Sequence, residues 1–248
     1  MLTASLGGSL TKWRRAADVT QTDYDRYRDR YGEELERAVA FAGTSHDFFT
    51  RAKAEELMRL ARLHLGDPAR VDAVDVGCGI GLTDRHLASR FRALTGTDVS
   101  PGVLETAARE NPGVRYELAE RGRLPFDDGA FHLAFAVCVV QVVVPEERSR
   151  FVAELARVTR PGGLVLVFEH NPYNPLTRLV VHRCEFGEDA RMLGMAEAER
   201  LFDENGVTTV DRGFLLLFPS RRKRVLALER ALRHLPLGAQ YYVAARPQ

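Results

Sequence analysis

An aspartate followed by three evenly spaced glycines, Asp75-Val76-Gly77-Cys78-Gly79-Ile80-Gly81, is the stretch of this chain best suited to hold a ligand. It grows out of the apolar, β-branched run at residues 71–76, the pattern of a strand buried on both faces of a parallel sheet. Glycines at 77, 79 and 81 leave the turn without side-chain bulk, so backbone N–H groups and a flat polar ligand can come close. A second acid, Asp98, stands about twenty residues further on, at the end of the next strand-like run, residues 93–98. An acid there can accept hydrogen bonds from both hydroxyls of a ribose. The alternative is an acid at a helix N-terminus, beside Ser100-Pro101-Gly102.

The best candidate for moving a proton is His170, in Glu169-His170-Asn171-Pro172-Tyr173. This segment follows the apolar run 164–168 and should project over the carboxyl edge of the sheet, where open α/β sheets bind ligands. An ordinary histidine pKa near 6.5 suits removal of a proton from a hydroxyl or a protonated amine; the alternative is a structural histidine bonded to a loop carbonyl. His46 ranks next, in a segment able to face the site. His182 lies in a similar segment, His64 and His86 sit in helical stretches, and His132 belongs at the amino end of its strand, away from chemistry. No Cys/His spacing suggests zinc, and no metal is expected. Arg178, Arg183 and Arg221 can gather into a basic pocket for a carboxylate or phosphate, or can be solvated charges at helix ends. Tyr24, Tyr27 and Tyr31 share one helical face, which packs on the domain, forms a lid over the ligand, or does both. Cys138 reads as a buried strand residue, not a nucleophile.

Composition narrows the classes. The chain has 248 residues, 45% of them hydrophobic and 28% charged, enough for one α/β domain with a modest cap. A formal net charge of +1 gives no general attraction to nucleic acid, and the only lysines are Lys12, Lys53 and Lys223. Three widely spaced cysteines, Cys78, Cys138 and Cys184, with no apolar leader before Lys12, indicate a reduced cytoplasmic protein. The longest apolar run, residues 133–144, is too short to span a bilayer, so no membrane segment is expected.

The elements that position these residues follow from periodicity and punctuation. Residues 1–20 read as a flexible arm and residues 21–66 as a helical cap, stopped by Gly66-Asp67-Pro68. Residues 67–248 form the ligand-binding domain. A crossover helix is expected at 82–91, strands at 114–118 and 131–139, a helix at 151–160, and a strand at 164–168. An insert at 172–195 should roof the site, followed by a helix at 196–205, a strand near 214–218 and an extended hairpin at 219–240. The last strand, 240–245, should be antiparallel.

Spacing then selects the ligand. The dinucleotide fingerprint requires glycine at 82, where this chain has Leu82, which disfavours a nicotinamide cofactor. The pattern Asp-Val-Gly-x-Gly-x-Gly resembles the S-adenosylmethionine (SAM) loop of class I methyltransferases. Leu124-Pro125-Phe126 and Arg160-Pro161-Gly162-Gly163 follow in the order of that family, so the resemblance runs from about residue 71 to 170. It implies a doubly wound, mostly parallel seven-stranded sheet, the Rossmann-like methyltransferase fold, with an N-terminal helical cap and lid insertions. It also implies that SAM is held by Tyr24, Asp75, Gly77, Cys78, Gly79, Gly81, Asp98, Val99, Glu120, Arg121 and Cys138. Glu120, four residues before Leu-Pro-Phe, takes the place of the family's usual Asp at the adenine amino group. Gln141 and Val142 stand where close relatives often carry two histidines.

The tyrosine helix, Ser45-His46-Asp47-Phe48-Phe49, Glu169-His170-Asn171-Pro172, Arg183-Cys184-Glu185-Phe186 and the segment 235–242 are similar to a bacterial, type 11-like subgroup acting on small molecules. That likeness implies an acceptor, anionic or neutral, held by Tyr27, Tyr31, Gln141, Asn171, Arg178, Arg183 and Tyr241. The implied reaction is in-line attack of an acceptor oxygen or nitrogen on the sulfonium methyl carbon. Placement under a dry cap can supply roughly 7–11 kcal/mol, whereas a base typically adds about 10²–10⁴-fold. A SAM-binding enzyme of the same fold that cyclises or rearranges its substrate, or a non-catalytic cofactor-binding protein, remains an alternative.

Overall fold

The computed structural model describes residues 45–183, 191–218, 220 and 222–248, without the side chains of Arg183 and Lys223. Strand β1 (Asp72–Val76) pairs in parallel with β2 (Ala93–Asp98) on one side and β4 (Phe131–Val137) on the other. β3 (Arg115–Leu118) lies beyond β2 and β5 (Thr159–His170) beyond β4, both parallel. β7 (Gln240–Pro247) inserts antiparallel between β5 and β6 (Val207–Leu215), giving the order β3-β2-β1-β4-β5-β7-β6. The expected mostly parallel, seven-stranded, doubly wound sheet is therefore the one observed.

Strand alternation divides the core between the two faces. Val74, Val76, Ala134, Ala136, Val165 and Val167 face α3 (Arg148–Val158) and α5 (Met195–Asp203), with Val152, Leu155 and Phe202 packed against them. Ala73, Leu133, Phe135, Leu164, Leu166 and Phe168 face α1 (His46–Leu65), which buries Ala54, Leu57, Met58, Leu60 and Ala61. Helix α1 starts where the Ser45 hydroxyl accepts the Phe48 N–H at 3.3 Å. It ends at Gly66, whose φ of +86° is a conformation that glycine adopts without strain. Helix α2 (Pro101–Glu110) begins likewise on the side chain of Ser100, and α4 (Pro175–Arg183) and α6 (Lys223–Ala231) occupy the insert and the long hairpin.

Parallel pairing brings the carboxyl ends of β1, β2, β4 and β5 to one edge, and the register His170↔Gln240 sets the start of β7 beside them. Two elements differ from expectation. Residues 82–91 form successive turns with one 3-10 turn, Asp84–His86, in place of a crossover helix. Asp84 is drawn fully inward to the hydroxyl of Tyr116, and bonds such as His86 N–H to Thr83 O and Leu87 N–H to Asp84 O tighten the backbone around it. Strand β6 lies earlier than residues 214–218, because Leu216 takes φ +61° and ends it, while the β-branched run 207–210 carries its first half. No helix among the described residues is long and apolar enough to cross a membrane.

Candidate active site

The glycine turn leaves β1 at the carboxyl edge, and its three glycines do different things. Gly77 and Gly81 are packing positions. A Cβ on Gly77 would lie 2.6 Å from Val139, and one on Gly81 would lie 2.4 Å from Asn111 Nδ2 and 2.6 Å from the Tyr116 hydroxyl oxygen. A Cβ on Gly79 would meet nothing within 4 Å, so this residue opens on space. Its N–H donates to Asp98 Oδ2 at 3.0 Å, while Ser100 N–H donates to Oδ1 at 3.1 Å. The half-buried Asp98 carboxyl, lifted in pKa by burial and lowered less by these backbone donors, thus borders the open cradle.

Beneath the turn lies a polar knot. Tyr116 donates to Asp84 Oδ2 at 2.8 Å, and Asn111 Nδ2 donates to Gly81 O at 3.2 Å and to the Tyr116 oxygen at 3.2 Å. Asp75 is buried beside Asp84, and burial first, then the Asp84 charge, holds its carboxyl well above the ordinary range. Asp84 is pushed up to about 6, mainly by burial. The pair shares a proton, with Asp75 as donor. Asp75 therefore supports the turn from inside, and its Oδ1 stays without a partner.

At the end of β5, His170 Nδ1 lies 3.0 Å from Gln141 Oε1, and the other end of the same amide donates to Cys138 O at 3.4 Å. That pairing fixes the amide and makes Nδ1 the protonated nitrogen, leaving the lone pair on Nε2. Burial, then the positive charge of Lys53, lowers the His170 pKa to about 4. His46, facing it from the first turn of α1, is lowered to about 3 by burial, then Lys53 and Arg85. The expected pKa near 6.5 is thus displaced, because both rings share a partly dry space with a cation. Glu169, the neighbour of His170 in sequence, points to the opposite face. Burial pushes it up to about 8, and it accepts N–H bonds from Val140, at 2.7 Å, and from Gln141.

Several residues marked by the sequence serve other ends. Asn171 is fully buried and spends its amide on Pro236 O at 3.0 Å, Gly238 O at 2.8 Å and Tyr173 N–H, so it clamps the hairpin and does not face an acceptor. Tyr241 is likewise buried, its hydroxyl donating to Leu193 O at 3.0 Å, and it belongs to the core. Gln141 orients His170. Arg178 lies on the exposed side of α4. Cys138 sits just past β4 at φ +61°, its sulfur accepting from Gln240 Nε2 at 3.5 Å, and burial raises its thiol pKa, as it does that of Cys78. Val99 is half-buried against the core beyond Asp98, while Glu120 and Arg121 are exposed past β3, with Glu120 bridged to Arg123. Tyr24, Tyr27, Tyr31, Arg221 and the side chain of Arg183 lie outside the described residues.

Lys53, Asp84, Tyr116, Asn111 and Glu169 carry much of this site, and none was marked as a site residue in the sequence. Lys53 is 5% exposed on the face of α1 that meets the sheet. The one local signal was its residue type, a lysine inside a helix of a chain that uses arginine almost everywhere. The donor set, an open glycine cradle beside an acid with oxygen lone pairs to spare, fits a nucleoside with vicinal hydroxyls.

Residues 74–167 match the family model of a methyltransferase domain. A malonyl-acyl-carrier-protein O-methyltransferase of Serratia marcescens is 33% identical over 116 residues, 47% of this chain and 43% of that protein. A trans-aconitate 2-methyltransferase of Methylobacterium nodulans is 42% identical over 113 residues, 44% of this chain and 41% of that protein. The chain thus spans about two-fifths of the length of these relatives. A SAM-dependent methyltransferase from Thermotoga maritima has the same fold, with a TM-score of 0.65 at 19% identity, covering 92% of this chain and 100% of that one. The turn and the acid that borders it lie within the residues that match a methyltransferase domain, and the sheet that presents both has the fold of a SAM-dependent methyltransferase.

Proposed function

We propose that this chain methylates an oxygen or nitrogen of a small, anionic acceptor with SAM as donor. The observation that carries the reading is the pairing of Gly79, open in front and bonded through its N–H to Asp98, with an acid at the carboxyl edge of a parallel sheet. Asp98 takes the ribose hydroxyls, Val99, Glu120 and Arg121 border the adenine, and the turn from Gly77 to Gly81, with Cys78 and Cys138 beside it, lies under the methionine part. The donor supplies a methyl carbon activated by an adjacent sulfonium. This chain's residues place the acceptor and keep the space dry, with the neutral rings of His170 and His46 beside it as hydrogen-bonding partners.

The names of the two curated relatives, one for trans-aconitate and one for a malonyl thioester carrier, support an acidic acceptor. In this reading the cap at 21–66 with Tyr24, Tyr27 and Tyr31, the insert at 172–195 with Arg178 and Arg183, and the hairpin at 219–240 close over a cytoplasmic metabolite.

Calorimetric titration with SAM, S-adenosylhomocysteine and NAD tests the cofactor assignment. Micromolar binding of the first two and none of NAD is expected. Asp98→Ala should weaken binding by at least about tenfold, the scale of one lost charge-assisted hydrogen bond. Binding of S-adenosylhomocysteine by the variant at wild-type strength would overturn the assignment of Asp98, and binding of NAD alone would overturn that of the family's cofactor.

A further inference from the structure

We propose that Lys53 is the acceptor anchor of this site, taking the carboxylate of an acid whose own oxygen is the atom methylated. The inference rests on the methyl-transfer reading and narrows it to a class of acceptor.

Lys53 stands on the inward stripe of α1 with His46, Thr50 and Leu57, spaced seven and three residues before it and four after. Its charge acts on His46, on His170 at the end of β5, on Cys138 past β4 and on Asp75 of β1. Among the described residues no carboxylate forms an ion pair with it: Asp75, the carboxyl its charge reaches, keeps its proton, the negative charge of the Asp75–Asp84 pair rests on Asp84 against the Tyr116 hydroxyl, and both histidines are neutral near pH 7. A cation buried to this degree without an ion-pair partner is costly, and the cost is recovered when a ligand brings an anion into contact with it.

Position separates this anion from the nucleoside. Asp98 lies on β2 and His170 on β5, three strand intervals and roughly 14 Å away. The groups that bond Asp98 are Gly79, Val99 and Ser100, and the side chains that feel Lys53 belong to β1, β4 and β5. The cation therefore acts on the β4–β5 end of the site, away from Asp98, as well as on Asp75 beneath the turn.

The proton acceptors point the same way. Histidines with pKa values of about 3 and about 4 are poor bases for an alcohol or an ammonium group. A carboxylate arrives already ionised and needs a counter-charge and alignment only. One acceptor oxygen forms the O–CH3 bond as the methyl–sulfur bond breaks, and the bonding pair leaves on sulfur. Carboxylate and sulfonium become ester and thioether, and no proton has to be placed. The ester no longer pairs with Lys53, so the anchor that selects the substrate also lets the product go.

The test uses the full chain, Lys53→Met and Lys53→Arg, with thermal melts to confirm folding. S-adenosylhomocysteine should bind wild type and Lys53→Met within about twofold of each other. Malonate or trans-aconitate should bind the wild-type protein loaded with S-adenosylhomocysteine, and their fully methylated esters, which carry no carboxylate, should not. Lys53→Met should lose that binding by about 10- to 100-fold, and Lys53→Arg should keep part of it. NMR of the histidine rings should show His46 and His170 pKa values rising when the acid binds and in Lys53→Met without it. Equal binding of the acids by wild type and Lys53→Met overturns the proposal, as does no binding of either acid at tens of millimolar. A drop in S-adenosylhomocysteine affinity in Lys53→Met, with methylthioadenosine unaffected, also overturns it by assigning Lys53 to the donor's carboxylate. Failure of wild type to bind S-adenosylhomocysteine sinks the methyl-transfer reading instead, and Lys53-dependent binding of the acids to the free protein then judges the anchor alone.

Discussion

Alanine at Gly79 and at Gly81 separates the part of the turn that holds ligand from the part that holds the fold. Both glycines have positive φ, +53° and +72°. An L-residue there costs roughly 1–2 kcal/mol in either case. The surroundings then diverge. At Gly79 the new methyl meets nothing within 4 Å, so the conformational cost is the whole cost to the free protein. At Gly81 the methyl would lie 2.4 Å from Asn111 Nδ2 and 2.6 Å from the Tyr116 oxygen, atoms already committed to Gly81 O, Ala107 O and Asp84. Relief requires the Asn111-Tyr116-Asp84 knot to move, adding about 1–3 kcal/mol for overpacking and about 1–3 kcal/mol for a buried polar group left unpaired.

Gly81→Ala should therefore lose roughly 3–8 kcal/mol, much of the stability of an ordinary domain. At about 2–4 °C per kcal/mol for a chain of this size, Gly79→Ala should lower Tm by a few degrees, and Gly81→Ala by roughly 6–30 °C. Binding should show the reverse. Gly79→Ala projects its methyl into the cradle and should weaken S-adenosylhomocysteine at least about tenfold by calorimetry, despite its near-native melt. Equal destabilisation by the two variants, or undiminished affinity in Gly79→Ala, would refute the division of labour.

The pH dependence gives two further predictions. Because His170 and His46 ionise near 4 and near 3, kcat/KM should show no histidine limb between pH 6 and 8; a limb near 6.5 that His170→Asn removes would contradict the shared electrostatics of Lys53 and the two rings. Glu169, raised to about 8, keeps its proton in the folded state and loses it near 4.5 when unfolded, so its contribution is complete below pH 4.5 and is lost as pH rises to about 8. Across that window the limiting slope is about 1.4 kcal/mol per pH unit for one whole proton. Glu169→Gln should flatten the fall in Tm between pH 5 and 8, and an unchanged slope would show that other groups set it.

Asp75, the glycines and Asp98 were legible because their meaning is local: a strand, a turn without side chains and an acid at the next strand end are patterns of spacing. His170 was legible for the same reason, since the apolar run 164–168 had to end at the ligand edge. Asn171 and Tyr241 stand at that edge too, yet their polar atoms are consumed by Pro236, Gly238 and Leu193, partners remote in sequence. Lys53 looked like any charged residue of an amphipathic helix, and which stripe of α1 turns inward is settled by Leu57 and Leu60 packing on the sheet. The missing crossover helix has the same origin. Asp84 is neutral to helix formation by itself, and what bends the chain around it is Tyr116, thirty-two residues away.

Period-2 alternation makes Glu169 and His170 a coupled pair although they face opposite sides of the sheet. Glu169 grips the N–H groups of Val140 and Gln141 and so fixes the turn that leaves β4. Gln141, held there, accepts the Nδ1 proton of His170 on the other face, which leaves the Nε2 lone pair on the side of His46 and Lys53. The buried acid thus acts on the site through the backbone of its neighbour strand. Its ionisation at high pH would put a second buried charge beside Cys138, and the strand end that carries the ring would be the first to feel it. The structure keeps Glu169 protonated and sets the buried cation Lys53 beside the histidine rings, an arrangement suited to a ligand whose carboxylate arrives as an anion and leaves as an ester.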